Sequence, residues 1–474
     1  MTATRYDMTI IGGGSGGLAA ARLATSLGAN VLLIDKVRLG GDCLNYGCVP
    51  SKSLIYVAKV VHQAQSAATI GLTPTKVTTD FAKISNYIQE VIGRVAEGEK
   101  VYTEGVTVKF GEVSFNSATE LTLNGESFFS RNTLIATGSR PLVPQIEGLE
   151  ETGYLTNEDV FNLIRLPSSL VIVGGGPIGV ELGQALRRLG TDVTIIEGLD
   201  RILPREDPEV SATLKEVLRS EGINIVTNAL LINAIRDGTK KVVTAKQGQR
   251  LLAFEADEIL LTLGRQPNVE GLNLEAARIT YNNKGIEVNE YLQTSAPNIL
   301  AIGDVIGSYL FTHIAAYQAG VAVRNALVPL RKKKVDYRVV PWCIFTDPEI
   351  ARVGLTPDEA EKQHKQTHLV KFPFAAIDRA QAQSETTGFI KLVLVGKKGE
   401  IVGAHIVGAQ AGELLGEIAL AMQHHFKVND ILDTIHAYPT MSTGIQQTAF
   451  ESYLLGTRAK NNRKIVQAIL SLRK

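Results

Sequence analysis

What this chain has little of sets the first limits on its function. Its 474 residues include only three cysteines and one tryptophan, and the formal net charge is +1. So few cysteines and no leading signal segment favour a reducing, cytosolic compartment. No apolar run reaches about 18 residues, so we expect no transmembrane segment. A near-neutral chain gives no electrostatic reason to expect nucleic acid as a partner.

The rest of the composition is typical of a globular α/β protein. Hydrophobic residues make up 45% of the chain, and its 44 glycines suit many strand-to-helix turns. The length corresponds to about three domains.

Two of the three cysteines, Cys43 and Cys48, lie in one short stretch, GGDCLNYGCVPSK at residues 40–52. A disulfide across so short a loop would stabilise the fold by only about 2 kcal/mol, which makes a structural bridge a poor explanation. At the start of a helix, by contrast, a thiol pKa can be lowered, which suits a pair that is reduced and reoxidised in turnover. The alternatives are two unpaired structural cysteines or half of a metal site. Zinc is disfavoured because it needs four ligands and no Cys/His pair lies nearby, so we predict no metal site.

A glycine motif near the N-terminus predicts a dinucleotide site. G-x-G-x-x-G follows an apolar run and opens a helical stretch, and a second apolar run ends on an acidic residue. In such a βαβ unit the glycines allow a tight turn and close approach of a pyrophosphate, while the acid can bond a ribose hydroxyl. The residues concerned are the runs 8–11 and 31–34, the glycines Gly12, Gly14 and Gly17, and Asp35.

The same unit recurs without a gap 162 residues later, which argues for two dinucleotide sites on one chain. Its acid, Glu197, would accept a bond from a free 2′-hydroxyl and repel a 2′-phosphate, so we favour NADH over NADPH. No arginine follows Glu197 immediately, although Arg201 and Arg205 are near in sequence. The matching positions are Gly174, Gly176, Gly179 and Glu197.

With these motifs in place the chain resembles, essentially end to end, the flavin-dependent pyridine nucleotide–disulfide oxidoreductases. That family includes dihydrolipoamide dehydrogenase, glutathione reductase and mercuric reductase. The segments that carry the resemblance are Gly12–Gly17, Gly41–Lys52, Thr137-Gly138, Gly174–Gly179, Gly264–Asn268 and Asn298–Asp304.

The resemblance implies an α/β fold with two Rossmann-like dinucleotide-binding domains and a C-terminal α+β dimerisation domain. It places FAD in residues 1–148 and 268–336, NAD(P)H in 149–267 and the homodimer interface in 337–457, before a basic tail at 458–474. Hydride would pass from NAD(P)H to FAD, and electrons would then pass to the Cys43–Cys48 disulfide. Cys48 would be the thiol beside the flavin, and Cys43 the one that meets the substrate.

The resemblance also assigns contacts to individual residues. Lys52 and Glu181 correspond to the family's ion pair near the reactive flavin nitrogen, and Asp304 to the residue that bonds the ribityl chain. The implied FAD contacts are Gly12, Gly14, Gly17, Asp35, Lys36, Gly41, Lys52, Thr137, Gly138, Asp304 and Thr312. The implied NAD(P)H contacts are Gly174, Gly176, Gly179, Glu197 and Gly264.

One segment departs from the family pattern. Members that act on disulfides carry His-x-His-Pro-Thr-x-Ser-Glu, in which the second histidine is the acid–base group, but here residues 436–443 read HAYPTMST. Tyr438 replaces that histidine and Thr443 the glutamate, and a phenol with a pKa near 10 is a poor base at neutral pH. Mercuric reductases also have tyrosine near this position, which favours that branch. Mercuric reductases end in a vicinal cysteine pair, however, whereas no cysteine follows Cys343 here. We also expect no N-terminal metal-binding domain before the motifs. Both differences argue against efficient reduction of mercury.

The sequence therefore predicts a homodimeric, cytosolic flavoenzyme of the mercuric reductase-like branch, with FAD and preferably NADH as cofactors. Its acceptor would be a metal ion such as Hg(II), a quinone or another small oxidant, and Tyr438 would lie at the acceptor side. One alternative is a dihydrolipoamide dehydrogenase-like disulfide reductase. Another is a flavin-bearing redox sensor whose disulfide state changes a partner contact.

Two helical stretches carry apolar stripes. Ile84, Ile88, Val91 and Val95 recur at helical spacing and are expected in the core. In the basic tail Ile465, Ile469 and Leu472 share one face, for which we expect docking on the protein itself, with a membrane-surface contact as the alternative.

Overall fold

The computed structural model describes residues 5–73 and 77–472. The chain forms two compact units. The first ends at Gly198 and resumes over Ala229–Asp336; the second comprises Leu199–Asn228 and the chain from Tyr337 onward. Numbered in chain order, the helices are α1 (Ser15–Ser26), α2 (Gly41–Asn45), α3 (Cys48–Ser66), α4 (Phe81–Glu99), α5 (Leu149–Thr152), α6 (Pro177–Leu189), α7 (Pro208–Ser220), α8 (Thr312–Leu327), α9 (Pro357–Gln363), α10 (Asp378–Gln383), α11 (Ala411–Gln423), α12 (Val428–Leu432), α13 (Thr443–Leu455) and α14 (Thr457–Ser471). The strands are β1 (Arg5–Ile11), β2 (Val31–Asp35), β3 (Thr107–Phe110), β4 (Val113–Phe115), β5 (Glu120–Leu123), β6 (Glu126–Ile135), β7 (Ser139–Pro141), β8 (Ser169–Val173), β9 (Asp192–Ile196), β10 (Asn224–Val226), β11 (Leu230–Asp237), β12 (Lys240–Gln247), β13 (Arg250–Ala256), β14 (Glu258–Leu261), β15 (Arg265–Pro267), β16 (Tyr281–Asn282), β17 (Gly285–Ile286), β18 (Ile299–Ala301), β19 (Pro341–Ile344), β20 (Glu349–Gly354), β21 (Thr367–Pro373), β22 (Phe389–Val395) and β23 (Glu400–Gly408).

The first unit is built on a sheet with β1 near its centre. The order is β3-β2-β1-β6-β5-β4, with β18 also beside β6, and β1 runs parallel to both β2 and β6. Parallel strands covered on both faces consist of near-continuous apolar residues, as β2 and the buried C-terminal part of β1 do. Ile10 and Leu33 point into the core on one face, while Ile11 and Ile34 point into the core on the other. The sheet therefore holds the C-terminal end of β1, and the glycine turn after it, in a fixed position.

The second glycine motif of this unit has the same local architecture. β8 pairs in parallel with β9 and with β14, and α6 follows β8 directly. α6 begins with Pro177 at its first position, which suits a helix start because that nitrogen needs no partner. Both glycine motifs thus lie at the C-terminal end of a buried strand, where ligands of open α/β sheets bind.

The second unit contains a five-stranded antiparallel sheet of order β19-β20-β23-β22-β21. All seven residues of β22 are buried, and α11 and α13 contribute to the same core. A charged cluster is buried here as well. Lys391 Nζ lies 2.9 Å from Asp207 Oδ2 and 2.7 Å from Glu209 Oε2, and the Lys391 and Asp207 side chains are almost fully enclosed.

The two apolar stripes differ from expectation. In α4 only Ile88 is fully buried; Ile84 and Val91 are half-buried and Val95 is exposed, so the stripe is only partly in the core. In α14, Ile465, Ile469 and Leu472 are all exposed, so the expected docking on the chain itself is wrong. Among the residues described, none of the helices has the length and apolarity to cross a membrane.

Candidate active site

The two motif cysteines lie on two consecutive helices that are joined by a short turn. Cys43 is in α2, and Cys48 is the first residue of α3. Gly41 opens α2 at φ 59°, and a Cβ there would lie 2.7 Å from the Gly14 Cα. Only glycine permits this approach, so the cysteine motif is held against the N-terminal end of α1.

When the pair is reduced, the Cys43 thiol is the group that acts as hydrogen-bond donor toward Cys48. The hydrogen bond from Cys43 lowers the pKa of Cys48 to about 6; the charge of Lys52 and a bond from Thr312 assist, against an opposing effect of burial. The same bond, with burial, raises the pKa of Cys43. Since the thiolate is the nucleophile and the reductant, Cys48 is the ionised member of the pair and Cys43 keeps its proton.

A lysine–glutamate pair lies beside the thiols. Lys52 is one turn beyond Cys48 on α3, and its Nζ is 2.7 Å from Oε2 of Glu181, which is buried on α6. A positive charge at this distance along the helix favours the Cys48 thiolate, while Glu181 keeps the lysine positioned. The Thr312 Oγ1, at the first turn of α8, lies 3.7 Å from the Cys48 Sγ. The sequence-predicted residues Cys43, Cys48, Lys52, Glu181 and Thr312 are therefore brought together.

The first glycine turn fits the diphosphate of a dinucleotide. Gly12 has φ 106°, and a Cβ there would lie 2.3 Å from the Ala136 carbonyl oxygen, so only glycine makes this turn. At Gly14 a Cβ would project into the space in front of α1, with its nearest neighbour at 3.6 Å, and no side chain caps the helix. Uncapped N–H groups at an open helix start are suited to phosphate oxygens. Asp35 accepts a 2.8 Å hydrogen bond from the Gly13 N–H, which fixes its carboxylate at the edge of this turn.

The second glycine turn has the same features. A Cβ on Gly176 would have no neighbour within 4 Å, and α6 has no side-chain cap. Glu197 is buried at the end of β9, where its Oε2 accepts a 2.7 Å hydrogen bond from the Gly175 N–H. The residues present thus fit a second dinucleotide with an acid beside its ribose.

The other residues predicted to contact cofactors differ in burial and in their hydrogen-bond partners. Asp304 is largely enclosed, which raises its pKa, and it accepts a 2.6 Å bond from the Ser139 hydroxyl. Thr137 donates to the Asn268 carbonyl, and the Gly138 carbonyl accepts from the Asn268 N–H. Gly264 is at φ 121° and accepts from the Leu142 N–H. Lys36 forms a solvent-exposed ion pair with Glu112.

Comparison with known proteins matches this arrangement to one family. The family model described as "Pyridine nucleotide-disulphide oxidoreductase" matches residues 6–320, and the model of the same family's dimerisation domain matches residues 340–449. The chain belongs to the pyridine nucleotide-disulphide oxidoreductases. Members are flavoprotein enzymes that use FAD and a pyridine nucleotide, and the dimerisation domain supports a homodimer.

Relatives within the family carry different names. Mercuric reductase of Staphylococcus aureus is 35% identical over 448 residues, which span 94% of this chain and 82% of that protein. Dihydrolipoyl dehydrogenase of Geobacillus stearothermophilus is 38% identical over 451 residues, 93% of this chain and 94% of that protein. The solved structure of the HOCl-induced flavoprotein disulfide reductase RclA from Escherichia coli in its Cu(II) complex has a TM-score of 0.84 and 28% identity, and covers 94% of this chain and 99% of that one.

The segment in which this oxidoreductase departs from the family pattern lies in the second unit. Tyr438 is 74% exposed, and its hydroxyl donates to Asp378 Oδ2 at 3.1 Å, a bond that raises the tyrosine pKa further above neutrality. Thr443 donates its hydroxyl to the Thr440 carbonyl at 2.7 Å. Neither residue is therefore arranged to supply or remove protons near pH 7.

Three contacts were not identified from the sequence, one beside the cysteine motif in the first unit and two within the second unit. Arg265 donates to the Ser139 hydroxyl at 2.7 Å and lies 3.3 Å from Asp42, which follows Gly41 in the cysteine motif. His436 Nε2 is 2.8 Å from Glu417 Oε1. Asp378 contacts Tyr438 across 60 residues of chain. Arg265 and His436 lie within quoted motifs, which was a usable signal, whereas nothing in the sequence relates Asp378 to Tyr438.

Proposed function

We propose that this flavoprotein uses NADH to reduce a small oxidant through Cys43 and Cys48. The acceptor class is a metal ion such as Hg(II) or Cu(II), a quinone or another oxidant that does not leave as a thiol. One observation carries the proposal. The thiol pair has a thiolate and a retained proton, whereas Tyr438, at the position of the usual base, is a phenol bonded to Asp378.

The chain's own residues have distinct tasks in this proposal. FAD, when bound, supplies the two-electron link between the nicotinamide and the disulfide. Lys52 and Thr312 favour the negative charge on Cys48, and Cys43 keeps its proton until the acceptor binds. When Hg(II) accepts two electrons, the Cys43–Cys48 bond forms and the remaining proton on Cys43 leaves to solvent. This transfer needs no group that protonates a departing thiol.

The same reasoning separates this acceptor class from disulfides. Reduction of a disulfide releases a thiolate, which must be protonated, and a positioned acid–base group speeds such a step by about 10²–10⁴-fold. The pKa of Tyr438 is raised above the ordinary value of 10.0, and Thr443 has no imidazole to orient. Disulfide turnover should therefore be slow. The Cu(II) complex of the structural relative RclA supports a metal ion as one acceptor to test.

The preference for NADH rests on Glu197. Its carboxylate is buried and held by the Gly175 N–H at the position where the family places the adenosine ribose. A 2′-phosphate would lie against this negative charge, whereas a free 2′-hydroxyl could donate to it.

The proposed working form is a homodimer in the cytosol. The dimerisation domain match supports the homodimer, and the small number of cysteines supports a reducing compartment.

The test compares kcat/KM for oxidation of dihydrolipoamide by NAD⁺, which runs thiol–disulfide exchange in reverse and needs the same acid–base group, with that for reduction of Hg(II) and of a quinone by NADH, in wild type and in Tyr438→His/Thr443→Glu. The double substitution should raise the dihydrolipoamide value by about 10²-fold or more and leave the quinone value within a few-fold. Tyr438→Phe is the matched control, since it removes only the hydroxyl. Wild-type dihydrolipoamide turnover on the order of hundreds per second, with no gain in the double variant, would replace this proposal with a lipoamide-type reductase.

One observation favours that second candidate. His436 is almost fully enclosed, with Nε2 at 2.8 Å from Glu417 and Nδ1 at 2.9 Å from the Thr434 carbonyl oxygen, so an imidazole–carboxylate pair exists two residues before Tyr438. If His436 is the base, His436→Gln should abolish disulfide turnover. Under the proposal made here, His436→Gln leaves metal-ion and quinone reduction active.

A further inference from the structure

The C-terminal helix α14 has an apolar face that the described chain does not cover. Every residue is exposed over 462–471, the part of the helix whose side chains are described, and so is Leu472, which directly follows the helix. Five large apolar side chains are between 46% and 87% exposed, namely Ile465, Val466, Ile469, Leu470 and Leu472. Isolated exposed apolar residues are common, but five within eight positions of one helix form a contiguous patch.

The apolar side chains are segregated on one side of the helix. At 100° per residue, the five occupy an arc of about 160° from Leu472 to Leu470. Arg463, Lys464, Gln467 and Ser471 occupy the opposite arc. The helix is therefore amphipathic, and its polar side is basic.

The charge of this end of the chain has one sign. No aspartate or glutamate follows Glu451, whereas six basic residues do: Arg458, Lys460, Arg463, Lys464, Arg473 and Lys474. Among the described residues, neither Arg463 nor Lys464 forms a salt bridge, and both side chains are exposed. A complementary surface must accordingly be negative and must accept apolar side chains.

We propose that α14 binds the surface of an anionic lipid membrane, lying in the plane of the interface. A phospholipid surface offers both requirements at once, because acyl chains accept the apolar face and anionic headgroups attract the basic one. A second copy of the chain would supply an apolar face but would also bring a second set of six positive charges. This inference does not depend on the electron acceptor.

The test is co-sedimentation of the full-length holoenzyme with vesicles of phosphatidylcholine and phosphatidylglycerol in equal parts, against vesicles of phosphatidylcholine alone. We expect binding to the anionic vesicles that falls as salt is raised. Arg463→Gln/Lys464→Gln should weaken it by about tenfold or more, and Ile465→Gln/Ile469→Gln/Leu470→Gln should abolish it. Gln467→Ala/Ser471→Ala, on the polar side of the same helix, is the matched control and should bind like wild type.

Light scattering on the same variants tests whether α14 instead binds a second copy of the chain. The membrane assignment is overturned if wild type does not sediment with anionic vesicles, or if it binds both vesicle types equally. It is also overturned if the apolar triple variant changes the molecular mass in solution while vesicle binding is unaffected. Flavin absorbance and circular dichroism, unchanged in all variants, show that lost binding is not lost folding.

Discussion

The hydrogen bond from Cys43 to Cys48 can be tested by two substitutions that differ only in a hydroxyl group. Cys43→Ser keeps a hydroxyl donor at this position, whereas Cys43→Ala removes the donor. Because this bond is the largest cause of the lowered Cys48 pKa, the serine variant should keep a Cys48 pKa near the wild-type value of about 6 and the alanine variant should not.

The size of the difference follows from ordinary magnitudes. A hydrogen bond to a charged group is worth about 1.5–3 kcal/mol, and 1.36 kcal/mol corresponds to about one pKa unit. The low end of this range gives an expected rise of about one pKa unit in Cys43→Ala. At pH 7 a thiol with a pKa of about 6 is roughly 90% ionised, compared with about 1% at the ordinary value of 9.0.

The assay is the rate of Cys48 alkylation by iodoacetamide as a function of pH, in a Cys343→Ser background that leaves one thiol. Long-wavelength charge-transfer absorbance of the holoenzyme gives an independent titration of the same thiolate. Coincident curves for the serine and alanine variants would show that the hydrogen bond is not the cause. A serine variant that titrates near 9 would refute the assignment of Cys48 as the thiolate.

Two further predictions concern cofactor choice and stability. Glu197→Arg should narrow or reverse the ratio of kcat/KM for NADH over NADPH, whereas Glu197→Gln should change it less; a wild-type preference for NADPH that neither variant alters would contradict the role of Glu197. Asp207→Asn removes the buried partner of Lys391 and leaves only the more exposed Glu209, so it should cost about 2 kcal/mol in denaturant unfolding at neutral pH, against less than about 1 kcal/mol for Glu209→Gln. Burial opposes ionisation of Asp207, but Lys391 outweighs it and holds the pKa below the ordinary 3.8, so the Asp207 contribution is present above that pH and wild type and Asp207→Asn should converge in acid.

The sequence predicted the parts of the site that depend on neighbours in the chain. Gly12 and Gly174 each follow a buried strand and begin a turn that only glycine can make, so the motif and the geometry are linked directly. Cys48 at the start of α3, with Lys52 one turn on, follows from helix periodicity in the same way. Such features are encoded locally and can be derived without knowing the tertiary contacts.

The parts that depend on tertiary packing were not predictable. Periodicity in α4 identified a stripe but not what covers it, and only Ile88 is buried. The bond from Tyr438 to Asp378 joins residues 60 positions apart, with no motif at Asp378. Likewise the Lys391–Asp207 pair connects a strand to a segment nearly two hundred residues earlier.

The residues that lower the pKa of Cys48 are different from those that would protonate a departing thiol, and this supports the choice of acceptor. The groups that set the pKa of Cys48 are Cys43, Lys52, Thr312 and Glu181, and none of them lies in residues 436–443. Replacing the usual histidine by Tyr438 therefore leaves the reducing thiolate intact and removes only the group that handles the proton of a departing thiol. An enzyme altered in this way loses rate on substrates that release thiols and keeps it on those that do not. That asymmetry is the physical reason to expect a metal ion, a quinone or a similar oxidant as the acceptor.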